Sequence, residues 1–308
     1  MTAAEPRAPR GALAQVVRVT IGLLALAFVV WTFRDIARRW DPSALVIRWP
    51  WVVAAMLPHA LGVWILARGF VLLLERLKGA SVPVAPAVAL HIESQLARYV
   101  PGKLGVPLVR IAGADGLGVT RSAMASAVLL EILSFLSVGG LVGSALLVAT
   151  RGGAPEQTRA ISTWLVPVAL GFVVLTVVLV LLDRRRLPSG LLHRLGLTGG
   201  GPLVPIVVPL THALYWLTWA LHGGIVCLAV GAPLGGAVAA SGLFVLAPIL
   251  GFLALVAPAG AGVREAVLTA GLVPAVGASG ALTAALLSRG ATLVIDFGMW
   301  LVTRRPSA

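Results

Sequence analysis

Two cationic clusters sit where the chain cannot stay helical. In "ARYVPGKLGVPLVR", residues 97–110, the side chains of Arg98, Tyr99, Lys103 and Arg110 surround Pro101, Gly102 and Gly105. In "APAGAGVRE", residues 257–265, Arg264 and Glu265 follow Pro258, Gly260 and Gly262. A helix that restarts after such a break presents free N–H groups and the positive end of its dipole. With arginines beside it, that end is a receptor for an anion such as a lipid phosphate. Arg289 belongs to the same substrate-binding set, and Glu93, Glu131, Glu265 and Asp296 form a second set suited to charge pairing or gating.

The surroundings decide what these charges mean. Of 308 residues, 59% are hydrophobic and 11% charged, and the mean hydropathy is +0.99. A soluble domain is about half apolar and a quarter charged, so the expectation is an all-α, polytopic membrane protein. Apolar runs of spanning length fall near 15–33, 51–74, 122–149, 161–182, 205–230, 236–257 and 279–302. We expect about six full spans plus two broken or re-entrant helices, some eight helical segments, in one domain covering 1–308. Residues 1–14 and 304–308 would be short tails. The apolar stretch after Arg7 and Arg10 is too long for a signal-peptide core and reads as a retained first helix.

Inside a bilayer a charge costs at least a few kcal/mol. Glu93, Glu131, Glu265, Arg289 and Asp296 should therefore face the protein interior or water. Arg289 and Asp296 share a helical face but lie two turns apart, so each should meet a partner from another helix. Glu131 and Arg289 could bridge each other as a lock or move with a gate. The formal charge of +13 fits basic residues at helix ends rather than a nucleic-acid partner. With both termini cytoplasmic, ten Lys/Arg fall inside and six outside, a modest bias that favours this orientation in the cytoplasmic membrane.

Cys227 is the only cysteine, so no internal disulfide can form. His212 and His222 lie about 80° apart around one helix, which does not make a metal pair. Neither a Ser-His-Asp set nor a phosphate loop ending in Lys-Ser/Thr is present, so no metal, cofactor or catalytic group is expected.

The two broken regions also resemble each other. "PGKLGV" at 101–106 matches "PAGAGV" at 258–263. Each is followed by an Ala-rich helix starting at a glycine, Gly118 or Gly277, and reaching one charge, Glu131 or Arg289. Residues 84–98, about 22 Å as a helix, are too short to span and should dip in and return. Pro248, Gly251 and the 258–262 segment should interrupt the second region. With repeat 1 at about 51–182 and repeat 2 at about 205–303, the units would be inverted, the pattern of a transporter whose substrate sits between paired broken helices.

Three stretches resemble the flippase-like transmembrane region of lysylphosphatidylglycerol synthases: "ARYVPGKLGVPLVRIAGADGLGVTRSAMASAVLLE", "APAGAGVREAVL" and "ALLSRGATLVIDF". The resemblance implies a transporter-like fold and draws attention to Arg98, Tyr99, Pro101, Gly102, Arg110, Glu131, Gly262, Arg264, Glu265, Arg289 and Asp296. Two features depart from it. Family members often carry Arg directly after the first Glu and Asp a few residues on, where this chain has Ile132, Ser134 and Phe135. The sequence also stops after Arg305 without an aminoacyl-transferase domain, which implies that it moves a lipid rather than making one. The leading expectation is a flippase for a phospholipid, an aminoacyl-phospholipid or a polyprenyl-phosphate-linked precursor. Alternatives are glycosyl transfer onto a lipid carrier, by the protein or by an enzyme it accompanies, and a scaffold. Membrane lipids are the expected partners, with a lipid-modifying enzyme or glycosyltransferase as a possible protein partner.

Overall fold

A computed structural model describes residues 46–99, 104–150, 170–197, 200–253 and 262–303. The expected first helix at 15–33, both tails, and Pro101, Gly102, Lys103, Pro258 and Gly260 lie outside the described residues. Within them the chain is helical, with one isolated bridge between Asp183 and Pro202.

The helices in chain order are α1 (Trp49–Lys78), α2 (Val84–Leu96), α3 (Gly105–Ala112), α4 (Arg121–Thr150), α5 (Leu170–Leu181), α6 (Ser189–Arg194), α7 (Val207–Ala229), α8 (Leu234–Leu253) and α9 (Val263–Thr303). Among the described residues α1, α4, α8 and α9 are long and apolar enough to cross a membrane. This is an all-α multi-pass membrane protein. α7 is 23 residues long, and its sequence dilutes the apolar run with His212, His222, Thr211 and Thr218.

The expectation for Pro248 and Gly251 is corrected: α8 runs through both to Leu253. A proline inside a membrane helix is tolerated when neighbouring helices and local adjustments satisfy the freed carbonyl, so it is not by itself a break. The 258–261 part of that expectation lies outside the described residues. α9 contains one non-helical residue, Gly277, with φ 71° and ψ 172°. It divides the helix into an arm at 263–276 and a longer stretch at 278–303.

The elements form two sets with the same order. α1, α2, α3 and α4 correspond to α7, α8, the 263–276 arm of α9 and its 278–303 stretch. A positive-φ glycine precedes each final helix: Gly118 at 63° and Gly277 at 71°. Thr120 caps α4 through a hydrogen bond from Ala123 N at 3.2 Å. The neighbours follow the same correspondence: α1 packs on α7, α2 on α9, and α8 on α4.

Direction can be read from side-chain register. A Cβ on Gly62 would collide with Thr218, and one on Gly69 with Thr211. Numbers that rise in one helix and fall in its partner mean that α1 and α7 run antiparallel. The opening helices of the two sets therefore point in opposite directions. Lipid supplies no hydrophobic drive for helix association, so small residues that let backbones approach are what hold such a pair together.

At the end of α1, Arg184 donates to the carbonyls of Arg76 (3.1 Å) and Gly200 (3.0 Å), satisfying helix-terminal acceptors. Beside it, backbone N–H groups of Arg185 and Gly201 hydrogen-bond Asp183 and hold its carboxyl below the ordinary range.

Candidate functional site

The two short helices carry the first charged groups. α3 starts at Gly105, where any Cβ would strike the carbonyl oxygen of Ala97. That close approach folds α3 against the turn at Ala97–Tyr99 and places Arg110 one and a half turns along it. The 263–276 arm starts after Gly262, at φ 84°. Glu265, three residues on, accepts from Gly262 N at 2.8 Å, one half of a capping box.

Each short helix pairs with the long helix that follows it. Arg110 forms a buried ion pair with Glu131 of α4. It also donates through Nε to Ser94 Oγ at 2.8 Å and through Nη2 to His91 Nδ1 at 3.0 Å, with its guanidinium 4.4 Å over the Phe70 ring. In the second set Glu265 pairs with Arg289 at 3.3 Å. The polarity is reversed: a cation on the first short helix, an anion on the second. The expected bridge between Glu131 and Arg289 is absent, because the turn at each glycine returns a short helix to its own long helix.

A third pair joins the sets. Asp296 Oδ2 accepts from Arg98 and, at 2.7 Å, from the Tyr99 hydroxyl. Asp296 is 1% exposed. The Arg289 guanidinium also lies over the Tyr99 ring, 5.8 Å from its centre. Asp296 and Arg289 thus each find a partner outside their own stretch of helix, as the seven-residue spacing predicts.

Arg264 differs from the other three arginines. It is 6% exposed, yet no carboxylate among the described residues comes within 4.0 Å of it. Instead it donates to Ser288 Oγ at 2.7 Å, and Trp219 lies 5.2 Å from its guanidinium carbon. Ser288 in turn contacts His222 Nε2 at 2.8 Å, and His222 Nδ1 lies 2.8 Å from the Ala55 carbonyl. A carbonyl cannot donate, so His222 carries its proton on Nδ1 and Ser288 donates to Nε2. Ser288 is then an acceptor for Arg264, and the chain of bonds fixes one end of the guanidinium. Its Nε has no partner among the described residues.

A cavity of about 190 Å³ lies among these groups. Arg98, Tyr99, Arg110, Glu131, Arg264 and Arg289 all line it. An aromatic wall from Phe135, Tyr215, Trp216 and Trp219 and apolar residues such as Pro107 and Phe252 complete the lining. Its volume corresponds to about six waters in the liquid, enough for a small headgroup and not for acyl chains. Among the described residues around it Arg98, Arg110, Arg264 and Arg289 face Glu131, Glu265 and Asp296, four cations to three carboxylates, with the surplus at Arg264.

Glu93 lies on the exposed face of α2 and does not line the cavity. Arg264 and Glu265 are not a surface pair; both are buried, and they serve different partners. The buried histidines His59, His91 and His222, with Ser94 and Ser288, complete the site without any sequence spacing that singles them out. Among the described residues no group of three metal-ligating side chains is gathered.

The family model described as the lysylphosphatidylglycerol synthase TM region matches residues 15–298. No curated protein matches the chain.

Proposed function

Because the chain belongs to the family of lysylphosphatidylglycerol synthase transmembrane regions, which is membrane-embedded and lipid-related, we propose that it is a flippase for a phosphate-bearing lipid. The observation that carries this reading is Arg264, a buried cation lining the cavity with no carboxylate partner among the described residues and an unbonded Nε. An uncompensated buried charge costs several kcal/mol, and an anion in the cavity removes that cost. A phosphate in the cavity lies beside the Arg264 guanidinium, which lines it, while the acyl chains extend into the bilayer. Opposed sets of helices around one cavity suit alternating access, in which one set rocks against the other.

On this reading the protein transports and does not catalyse, its partners are membrane lipids and the enzyme that makes or uses them, and it sits in the cytoplasmic membrane with both termini inside. Glycosyl transfer has one supporting feature, the unbonded Glu131 Oε1 in the cavity. Arg110 holds the other oxygen, and Glu93, the second candidate base, is outside the site.

The test is reconstitution into phosphatidylcholine vesicles carrying fluorescent phosphatidylglycerol or a fluorescent polyprenyl phosphate. Transbilayer movement should require the protein and fall about tenfold or more in Arg264→Gln, the scale of one charged hydrogen bond. Substituting the exposed Arg186 by Ala should change little. No movement and no binding of either lipid, or equal losses in the two variants, would sink the proposal.

A further inference from the structure

The cavity is walled unevenly. Every lining residue from α1, α7 and α9 is at most 7% exposed, so among the described residues that side is sealed by protein. The side made by α3, α4 and α8 differs: Val106, Pro107, Ile132, Leu136 and Pro248 are half-buried, and Phe252 is 37% exposed. Among the described residues α3 packs on α2 and α4, α8 packs on α4, α7 and α9, and α4 is the helix the two share. The cavity therefore has an edge between α3 and α8, with α4 as its floor.

That edge has a single chemical character. Every accessible lining residue from α3, α4 and α8 is apolar, while the charged groups of these helices, Arg110 and Glu131, are only 2% and 4% exposed. The half-buried polar lining residues, Gln95, Arg98 and Tyr99, belong to α2 and the turn after it. On the same three helices Leu108, Leu129 and Leu250 are exposed and do not line the cavity. An apolar rim on helices whose outer surface is also apolar opens on lipid tails rather than on water.

We propose that the edge between α3 and α8 is a binding groove for the hydrocarbon chains of the lipid whose phosphate the cavity receives. Val106 and Pro107 form one side of it, Phe252 the other, and Ile132 and Leu136 the floor. The proposal rests on the lipid-phosphate reading and adds the place where the chains cross from cavity to bilayer. A lipid joins one charged headgroup to hydrocarbon, and the lining has the same division: arginines deep in the cavity, aliphatic and aromatic side chains at its edge. A chain that left past Arg98 would meet the ion pair with Asp296. Between α3 and α8 each methylene meets apolar side chains alone, and its contact with them is favourable.

Cys227 is the only cysteine and is buried, so a cysteine placed at the edge can be modified selectively after the full chain has folded. Phe252→Cys, and separately Val106→Cys on the opposite side, are treated with the membrane-permeant N-phenylmaleimide. Movement of fluorescent phosphatidylglycerol in phosphatidylcholine vesicles should then fall about tenfold or more, the scale of overfilling a packed site. Leu61→Cys, on exposed α1 surface outside the lining, should move the lipid as before once modified. Binding of soluble glycerol 3-phosphate, which has the phosphate and no chains, should stay within about twofold in all three, as for separate sites.

Photolabelling separates the groove from the phosphate site. In maltoside micelles, which contain no phosphate, phosphatidylglycerol with a diazirine in mid-chain should label Val106, Ile132, Leu136 or Phe252 above the level at Leu61. Diacylglycerol with the same chain should not. Edge labelling no higher than at Leu61 with either probe, or unchanged movement in both fully modified edge variants, overturns the groove; if glycerol 3-phosphate still binds, the phosphate site stands. Glycerol 3-phosphate binding lost along with movement in the modified edge variants also overturns it, because the edge then belongs to the headgroup site. Equal edge labelling by the two probes, above that at Leu61, keeps the groove and refutes the phosphate site.

Discussion

Arg110 and Arg264 occupy the two short helical segments beside the cavity, and they are treated in opposite ways. Arg110 has a carboxylate, a serine, a histidine and an aromatic face around its guanidinium. Arg264 has a serine, an indole and an unbonded Nε. The second short helix also carries the acid, Glu265, that pairs with the long helix, so its arginine is surplus. One short helix is thus closed by its own charges and the other is left open. The first short helix is satisfied within the protein, and the second keeps a donor without a partner among the described residues.

Removing one partner of the closed pair should have the largest effect. Glu131→Ala leaves Arg110 as an uncompensated buried cation and should cost about 3–5 kcal/mol, read as a drop in detergent-solubilised thermal stability. The double variant Arg110→Met/Glu131→Leu should recover most of it; no recovery would mean that the pair is not the unit. Glu265→Gln comes next, at about 1.5–3 kcal/mol, because glutamine still caps Gly262 but cannot pair with Arg289. A loss as large as that of Glu131→Ala would show the two halves to be equally closed.

The hinge glycines sharpen the contrast. Gly277, at φ 71° and ψ 172°, lies in a region open essentially to glycine alone, and Gly277→Asn should cost about 1–3 kcal/mol. Gly118, at φ 63° and ψ 32°, is left-handed helical, where asparagine is tolerated, and Gly118→Asn should cost less than about 1 kcal/mol. Smallest of all should be the loss of stability in Arg264→Gln without lipid, because removing an uncompensated buried charge should leave the protein as stable as before or more so. A large destabilisation there would make Arg264 a structural residue like Arg110.

The expected breaks at 101–102 and 258–261 lie outside the described residues, whereas the matched glycines 118 and 277 each precede a long helix with positive φ, as only glycine readily allows. Those glycines were legible in the sequence; the pairing of charges was not. Glu131 and Arg289 follow their glycines at nearly equal intervals, which suggests that they meet, but sequence does not say that each short helix folds back on its own long one. Pro248 misled for a related reason, since α7 and α4 support α8 on both sides of it. Glu93 shows that one charge amid apolar residues does not identify the inward face of a helix. The aromatic wall and the histidines came from apolar spans where a single polar residue carries little signal, and only packing brings His222, Ser288 and Arg264 together.

Gly277 also has a mechanical consequence. Arg264 lies 13 residues before it on an arm that also contains Pro274, about 20 Å at helical rise, so a rotation at the glycine would move the guanidinium as the tip of a lever. A torsional change of about 10° at the pivot sweeps that tip through about 3.5 Å over this length. That stroke exceeds the difference between a bonded phosphate and a separated one, and it needs no other part of the arm to bend.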